Sequence, residues 1–274
     1  MNVLSLFDGM SCGRIALDRA GVSYEKYYAS EIDKYAIKVS SANYPDTVQV
    51  GDIRNVKIAD NQSDGLNIGL LIGGSPCQGF SFAGKQLNFN DPRSELFFEF
   101  IRIKEETQPK YFLLENVKMK QESQDIISKY MGVEPIEIDS SLVSAQSRRR
   151  LYWTNIPILS LPKDKGIFLK DILLGDVKEP MLSNIYGGFK EKKPRVHFNK
   201  SVTLRAASGG GSIPSVTLRG SGIRKLDPLE CERLQTVPEG YTEGVSNTQR
   251  YRMLGNGWTV DVIAHIFRGL LKEN

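Results

Sequence analysis

The apolar run Ile68-Gly69-Leu70-Leu71-Ile72 stops at Gly73-Gly74-Ser75-Pro76-Cys77-Gln78-Gly79-Phe80-Ser81, and this junction constrains the fold more than any other stretch. The run is short and apolar at nearly every position, as expected of a strand covered on both faces in a parallel sheet. A strand that breaks off into two glycines and a proline delivers its cysteine on a tight loop at the sheet's carboxyl edge. Ligands and reacting groups collect at that edge in open α/β folds. Taken alone, one cysteine beside a turn is a buried thiol. What lies at the other strand ends decides whether it is more.

The chain opens on the same grammar. Val3–Phe7 reads as a strand, residues 8–13 as a glycine-bearing turn, and Arg14–Ala20 as a helix stopped by Gly21. Only Gly9 and Gly13 fall on the dinucleotide-binding pattern, so a nucleotide-like ligand is indicated and a pyrophosphate is not. Tyr27–Ser30 is a second strand ending at Glu31, roughly 20 residues past the glycines, where a ribose-binding carboxylate sits in such folds. A surface acid capping the helix Asp33–Ser41 is the plainer reading. Thr47–Val50 is a third strand and ends in Gly51-Asp52-Ile53. Two strands ending in acids beside a glycine turn suggest an adenosine pocket.

Beyond the Cys77 loop, the helix Glu95–Lys104 offers Leu96, Phe97, Phe100, Ile101 and Ile103 to a sheet. The strand Lys110–Leu114 ends at Glu115-Asn116-Val117 and brings a carboxylate to the edge that carries Cys77. A helix at Gln124–Tyr130 and a strand at Pro135–Asp139 follow. Gln146-Ser147-Arg148-Arg149-Arg150 then runs into the apolar Leu151–Thr154. Strand alternation assigns Arg148 and Arg150 to one face and Arg149 to the other.

From about Pro157 the composition shifts to proline, glycine and lysine. Two similar pieces, Ser201–Arg205 and Ser215–Arg219, flank the glycine-rich Ala206–Pro214 and read as a hairpin or paired strands. Asp227–Leu234 is a capped helix with Pro228 in its first turn. Residues 254–258 read as a loop. The last helix has an apolar face of Val260, Ile263, Ile266, Phe267, Leu270 and Leu271, expected to pack on the sheet near the first strand. Cys231 and His265 read as packing residues, and two histidines this isolated indicate no metal site.

Charge is segregated along the chain. Residues 146–224 hold 15 Lys and Arg against 5 Asp and Glu, whereas the whole chain of 274 residues carries a net +4. A polyanionic partner held against one part of the molecule accounts for that bias. Three scattered cysteines are no disulfide framework, which indicates a reducing compartment. The first residues lack a signal-peptide pattern, and no apolar run approaches membrane-spanning length. The expectation is a soluble, cytoplasmic protein with no membrane partner.

Together these stretches closely resemble the DNA cytosine-5 methyltransferase family. The resemblance rests on Leu6-Phe7-Asp8-Gly9-x-Ser11-x-Gly13, Ser30-Glu31-Ile32-Asp33, Gly51-Asp52-Ile53 and Gly74-Ser75-Pro76-Cys77-Gln78-Gly79-Phe80-Ser81. It continues through Asp91-Pro92-Arg93-Ser94-x-Leu96-Phe97, Glu115-Asn116-Val117, Gln146–Arg150, Arg233-Leu234-Gln235-x-x-Pro238 and Gly255-Asn256-Gly257. Asp8 and Trp258 stand where many bacterial members carry smaller residues.

The resemblance implies an α/β fold: a Rossmann-like S-adenosylmethionine-dependent methyltransferase sheet with a small, mostly β or irregular target-recognition region. It divides the chain into a catalytic and cofactor-binding part (1–156), a target-recognition region (157–224) and a return to the catalytic domain (225–274). It implies S-adenosylmethionine as cofactor, with Phe7 against the adenine, Glu31 on the ribose hydroxyls, and Asp52 and Ile53 reading the adenine edge. Backbone groups from Gly9 to Gly13, with Asp8 and Ser11, and of Asn256 would meet the methionine end. Ile32, Ser75, Pro76, Leu96 and Trp258 complete the cofactor positions.

The implied chemistry starts from cytosine C5 being a poor nucleophile. A Cys77 thiolate adding to C6 of a flipped-out base makes C5 enamine-like. Glu115 would donate to N3 and the exocyclic amine, and Arg148 and Arg150 would support the site, Arg150 at O2. Gln78, Ser81, Arg205 and Arg219 are the implied DNA contacts. Double-stranded DNA is the expected partner, with a cognate restriction endonuclease compatible, and the enzyme nucleoid-associated or phage-encoded in a host cytoplasm. An RNA-directed (tRNA) cytosine-5 methyltransferase and a non-catalytic nucleic-acid-binding relative are the alternatives.

Overall fold

A computed structural model describes residues 1–57, 67–76, 92–175, 177–183, 195–206, 213–218 and 222–272. These fall into two compact units. The first comprises Met1–Ile138, Arg149–Leu159 and Ile266–Asn274, and the second Asp139–Arg148 and Ser160–His265.

A seven-stranded sheet organises the first unit. Its strands are β1 (Asn2–Leu6), β2 (Tyr27–Ser30), β3 (Val48–Gln49), β4 (Ile68–Gly73), β5 (Tyr111–Val117), β6 (Ile136–Asp139) and β7 (Arg149–Thr154), in the order β3-β2-β1-β4-β5-β7-β6. Pairings from β3 through to β5 are parallel, and β7 runs antiparallel to β5. The chain winds outward from β1 to β3, then returns to place β4 on the other flank of β1. That reversal makes the carboxyl ends of β1 and β4 the topological switch point, where a crevice opens in such sheets. Leu6 and Gly73 are register partners there. A Cβ on Gly73 would sit 2.9 Å from the Leu6 carbonyl oxygen and 3.0 Å from the Phe100 ring, so only glycine lets the strand end this close to both.

Helices α1 (Cys12–Ala20), α2 (Lys34–Asn43), α3 (Pro92–Thr107) and α4 (Gln121–Met131) connect these strands. Leu4, Leu6, Leu71, Phe112 and Leu114 on the sheet form one core cluster with Phe97, Phe100 and Ile103 of α3 and Ile127 of α4. Trp153 joins them, its buried indole donating to Ser128 Oγ at 3.0 Å. Near-continuous apolar strands follow from burial on both faces.

The second unit holds a four-stranded antiparallel sheet of β8 (Val177–Ser183), β9 (Arg195–His197), β10 (Ser215–Leu218) and β11 (Ile223–Lys225), in the order β11-β10-β8-β9. It also holds α5 (Pro228–Leu234), α6 (Asn247–Asn256) and most of α7 (Val260–Phe267). In α5 the expected cap is present: Asp227 accepts from Leu229 N, and Glu230 reaches back to Asp227 N.

Two expectations are corrected here. The similar pieces near 201 and 215 do not pair with each other. The first runs beside residues 145–147, with Ser201 N donating to Ala145 O and Ser147 N to Ser201 O, whereas the second becomes β10 between β8 and β11. Similar β-prone sequence specifies extended backbone but not its partner. Residues 254–256, read as loop, are the last turn of α6. Gly255 suggested a turn, but a Cβ there would lie 2.2 Å from the Arg205 carbonyl, so the glycine serves a helix-to-backbone contact.

Candidate active site

The turn after β1 is left-handed at three of five residues, with φ of 57° at Phe7, 60° at Gly9 and 62° at Ser11. For Phe and Ser that conformation is strained and needs outside support. Asp8 supplies much of it. Its buried carboxylate accepts from Ser11 Oγ at 2.5 Å and from the Tyr27 hydroxyl at 2.7 Å. Burial pushes the Asp8 carboxyl up to about 6, against the lowering effect of hydrogen bonds from Ser11, Ser5 and Tyr27. Glu31, at the end of β2, accepts from Gly9 N at 2.7 Å through one oxygen and from Ile32 N and Asp33 N through the other. Phe7, Asp8, Gly9, Ser11 and Glu31 thus form one linked cluster, while Gly13 is buried in the first turn of α1. Asp33, rather than Glu31, caps α2.

Past β3, Asp52 begins a single 3-10 turn over Ile53–Asn55 and accepts from Arg54 N at 3.0 Å. The Arg54 guanidinium pairs with both carboxylate oxygens and holds the Asp52 carboxyl below the usual carboxylate range. Ile53 is buried, whereas Ile32 is 70% exposed beside Glu31, a large apolar side chain open to a ligand. Leu96 packs partly buried against the core from α3.

At the ends of β4 and β5, Asn116 Nδ2 donates to Ser75 O at 3.3 Å and to Ser75 Oγ at 3.2 Å. Ser75 is buried and Pro76 exposed; Cys77, Gln78, Ser81 and Arg219 lie outside the described residues. Glu115 pairs with Arg150, Oε1 to Nε 3.0 Å, with both side chains largely buried. Antiparallel register explains the meeting. Glu115 opposes Tyr152 and Val117 opposes Arg150, so the two charges are diagonal neighbours on one face.

Arg148 takes different partners. It precedes β7, belongs to the second unit, and donates to the carbonyls of Leu204, Gly255 and Gly257 at 3.0–3.2 Å. Strand alternation therefore does not extend to it. Those last two carbonyls flank Asn256, which is exposed at the end of α6, just before the half-buried Trp258. Arg205 is exposed beside Gly255. Buried Gln235 adds to the same brace, donating to Leu254 O and Gly257 O, and Gln146 accepts from Leu204 N. Tyr27, Asn116 and Gln235 were not singled out as site residues. Tyr27 and Asn116 lie within strands, and no sequence period marks a side chain that works through a partner distant in sequence.

The sequence model of the C-5 cytosine-specific DNA methylase family matches residues 1–130 and 141–272. The chain belongs to the C-5 cytosine-specific DNA methylase family. Its activity is C5 methylation of cytosine in DNA, and the family implies S-adenosylmethionine as the methyl donor. The type II methyltransferase M.HhaI of Haemophilus parahaemolyticus is 28% identical over 311 aligned positions, covering 97% of this chain and 93% of the relative. The type II methyltransferase M1.ScrFI of Lactococcus lactis subsp. cremoris is 29% identical, covering 98% and 78%. The crystal structure of the Dnmt2 methyltransferase of S. pombe superposes with a TM-score of 0.73 at 19% identity, covering 100% of this chain and 98% of that one. At that identity the likeness concerns the fold. Among the described residues no helix is long and apolar enough to cross a membrane.

Proposed function

We propose that this methylase acts on a cytosine within a short sequence of double-stranded DNA, turned out of the duplex, through a covalent bond between Cys77 and C6. The observation that carries this reading is the Glu115–Arg150 pair at the same sheet edge as the loop that begins at Ser75. A carboxyl and a guanidinium held side by side there suit a pyrimidine ring that gains negative charge as a thiolate adds to it.

Cys77 Sγ forms a bond to C6, and the displaced ring electrons move toward N3 and O2. Glu115 hydrogen-bonds N3 and the exocyclic amine and supplies the proton that N3 takes. Arg150 orients the Glu115 carboxyl and contacts O2. When bound, S-adenosylmethionine supplies an electrophilic methyl group to C5. Loss of the C5 proton to a base then re-forms the C5–C6 double bond and expels the Cys77 thiolate, while N3 returns its proton to Glu115.

The residues after β1, β2 and β3 fit this cofactor. Glu31, held by three backbone amides, presents a carboxylate to ribose hydroxyls beside the open face of Ile32, and Asp52 with Ile53 faces the adenine edge. The turn Phe7–Ser11 leads into the N-terminus of α1, whose positive dipole end suits the methionine carboxylate. Ser75, Pro76, Leu96, Asn256 and Trp258 are proposed as further cofactor contacts. Residues 157–224 are proposed as the target-recognition region, with Gln78, Ser81, Arg205 and Arg219 on DNA and Arg148 acting through the backbone around Asn256. A cytoplasmic enzyme, solitary or beside a cognate endonuclease, fits this reading.

Duplex DNA containing 5-fluorocytosine tests it, because fluorine at C5 blocks the final elimination. A covalent adduct mapping to Cys77, absent in Cys77→Ser, is expected. An undiminished adduct in that variant, or methyl transfer to tRNA in preference to plasmid DNA, overturns the proposal.

A further inference from the structure

Arg102 lies outside every motif named above, yet it is where α3 meets the turn that follows Asp52. Its Nη2 donates to Ile53 O at 3.0 Å and its Nη1 to Val56 O at 3.2 Å. On its other edges, Nε donates to Glu99 at 2.8 Å and Nη1 to Glu106 at 3.0 Å. Ile53 O accepts one further bond, from Val56 N at 3.2 Å, because the 3-10 turn is a single turn long. Carbonyls at the end of so short a helix lack partners within it and need them from elsewhere. A planar guanidinium can hold two carbonyls on one side and two carboxylates on the other, and an ammonium lacks that fork. Glu99 and Glu106, one turn to either side, fix the fork along α3.

We propose that Arg102 is a positioning residue of the cofactor site: by tying the carbonyls of Ile53 and Val56 to α3, it fixes the turn through which Asp52 and Ile53 recognise the adenine edge. The inference rests on the assignment of Asp52 and Ile53 to adenine made above. Arg102 touches no reacting atom. Its contribution is to adenine selectivity, since a turn free to shift keeps its Asp52 carboxylate but loses the alignment of carboxylate and backbone. Because Leu96 sits on the same helix, one rigid element carries both a proposed cofactor contact and the clamp.

The test compares full-length wild type, Arg102→Lys and Glu106→Gln by calorimetric titration with S-adenosylhomocysteine and with S-inosylhomocysteine, which lacks the adenine 6-amino donor. Wild type is expected to prefer the adenosyl compound at least ~10-fold. In Arg102→Lys that preference should fall to about 2-fold or less, the cofactor KM should rise about 5- to 20-fold, and kcat at saturation should stay within about 2-fold. Glu106→Gln, which keeps Arg102 with its two carbonyl bonds, its pair to Glu99 and an amide oxygen to accept from Nη1, should keep the wild-type preference. A lowered Tm with an unchanged adenosyl-to-inosyl ratio in Arg102→Lys would make the residue a brace only and overturn the inference. Absence of any preference in wild type would overturn both the adenine assignment and the inference built on it. An intact preference in both proteins would overturn the inference and leave that assignment standing.

Discussion

The two units use the same residue type in opposite ways. In the first, Glu31 and Glu115 stand at or near strand ends, around a core of aliphatic and aromatic side chains that does the holding. In the second, Glu230 and Glu232 of α5 are fully buried and each is saturated by the chain itself. Glu230 accepts from both Arg224 Nη atoms and from Leu174 N and Asp227 N. Glu232 accepts from Gly240 N, Thr242 N, the Thr242 hydroxyl and Arg250. A basic, glycine-rich segment has few apolar side chains to bury, so ion pairs knit to backbone amides stand in for part of a core. Burial of an acid is thus no sign of chemistry. What distinguishes Glu115 is its place near the carboxyl end of β5, where it pairs with Arg150 of β7.

The largest separation between the units should come from Glu115→Gln. Methyl transfer should fall by about 10²–10⁴-fold in kcat with Tm little changed, because the carboxyl proposed to act at N3 is replaced while the side-chain shape is kept. A Tm loss that accounts for the missing activity would erase the contrast. Glu232→Ala should do the reverse. Removing a buried carboxylate leaves Arg250 and two backbone amides without their acceptor, at a cost of about 3–5 kcal/mol. Chemical denaturation should register that loss, and a change under ~1 kcal/mol would mean the buried pair is not what holds the second unit.

Asp8 lies between the two cases, a buried carboxylate within a proposed binding turn. Its folded pKa of about 6 lies above the ordinary aspartate value of ~3.9. The native state therefore binds its proton more tightly than the unfolded chain. The group's stabilising contribution is complete below pH ~4 and lost as pH rises through ~6, on the order of 2–3 kcal/mol in all. Asp8→Asn cannot titrate, so the difference in unfolding free energy between wild type and variant should change across that window and be flat above pH ~7. A difference independent of pH would show that Asp8 is ionised throughout.

Much of the first unit was legible because each apolar run and its punctuation is a local signal. β1, β2, β4 and β5 were placed by apolar runs that glycine or an acid brings to a close, and α5 by Asp227, Pro228 and Glu230 at capping spacing. Residues 254–256 misled for the same reason. Glycines that mark a turn in most sequences here mark a helix end pressed against the Arg205 backbone, which is a non-local cause. The two similar pieces near 201 and 215 failed likewise, since nothing in an extended sequence names the strand it will lie beside.

Sequence alone determined the order of strands along the chain, the acids at successive strand ends and the family to which they belong. Local preference and the ordered motifs suffice for those. Only the tertiary structure separated Arg148 from Arg150, two residues apart, giving one to three backbone carbonyls and the other to Glu115. Only it made Arg102 the clamp on the Asp52 turn and Asn116 the tie to Ser75. The physical reason is common to all of them. A guanidinium or an amide finds its acceptors across distances in sequence of 35 to 109 residues, and which acceptors are near is settled by strand order and register, not by the neighbours along the chain.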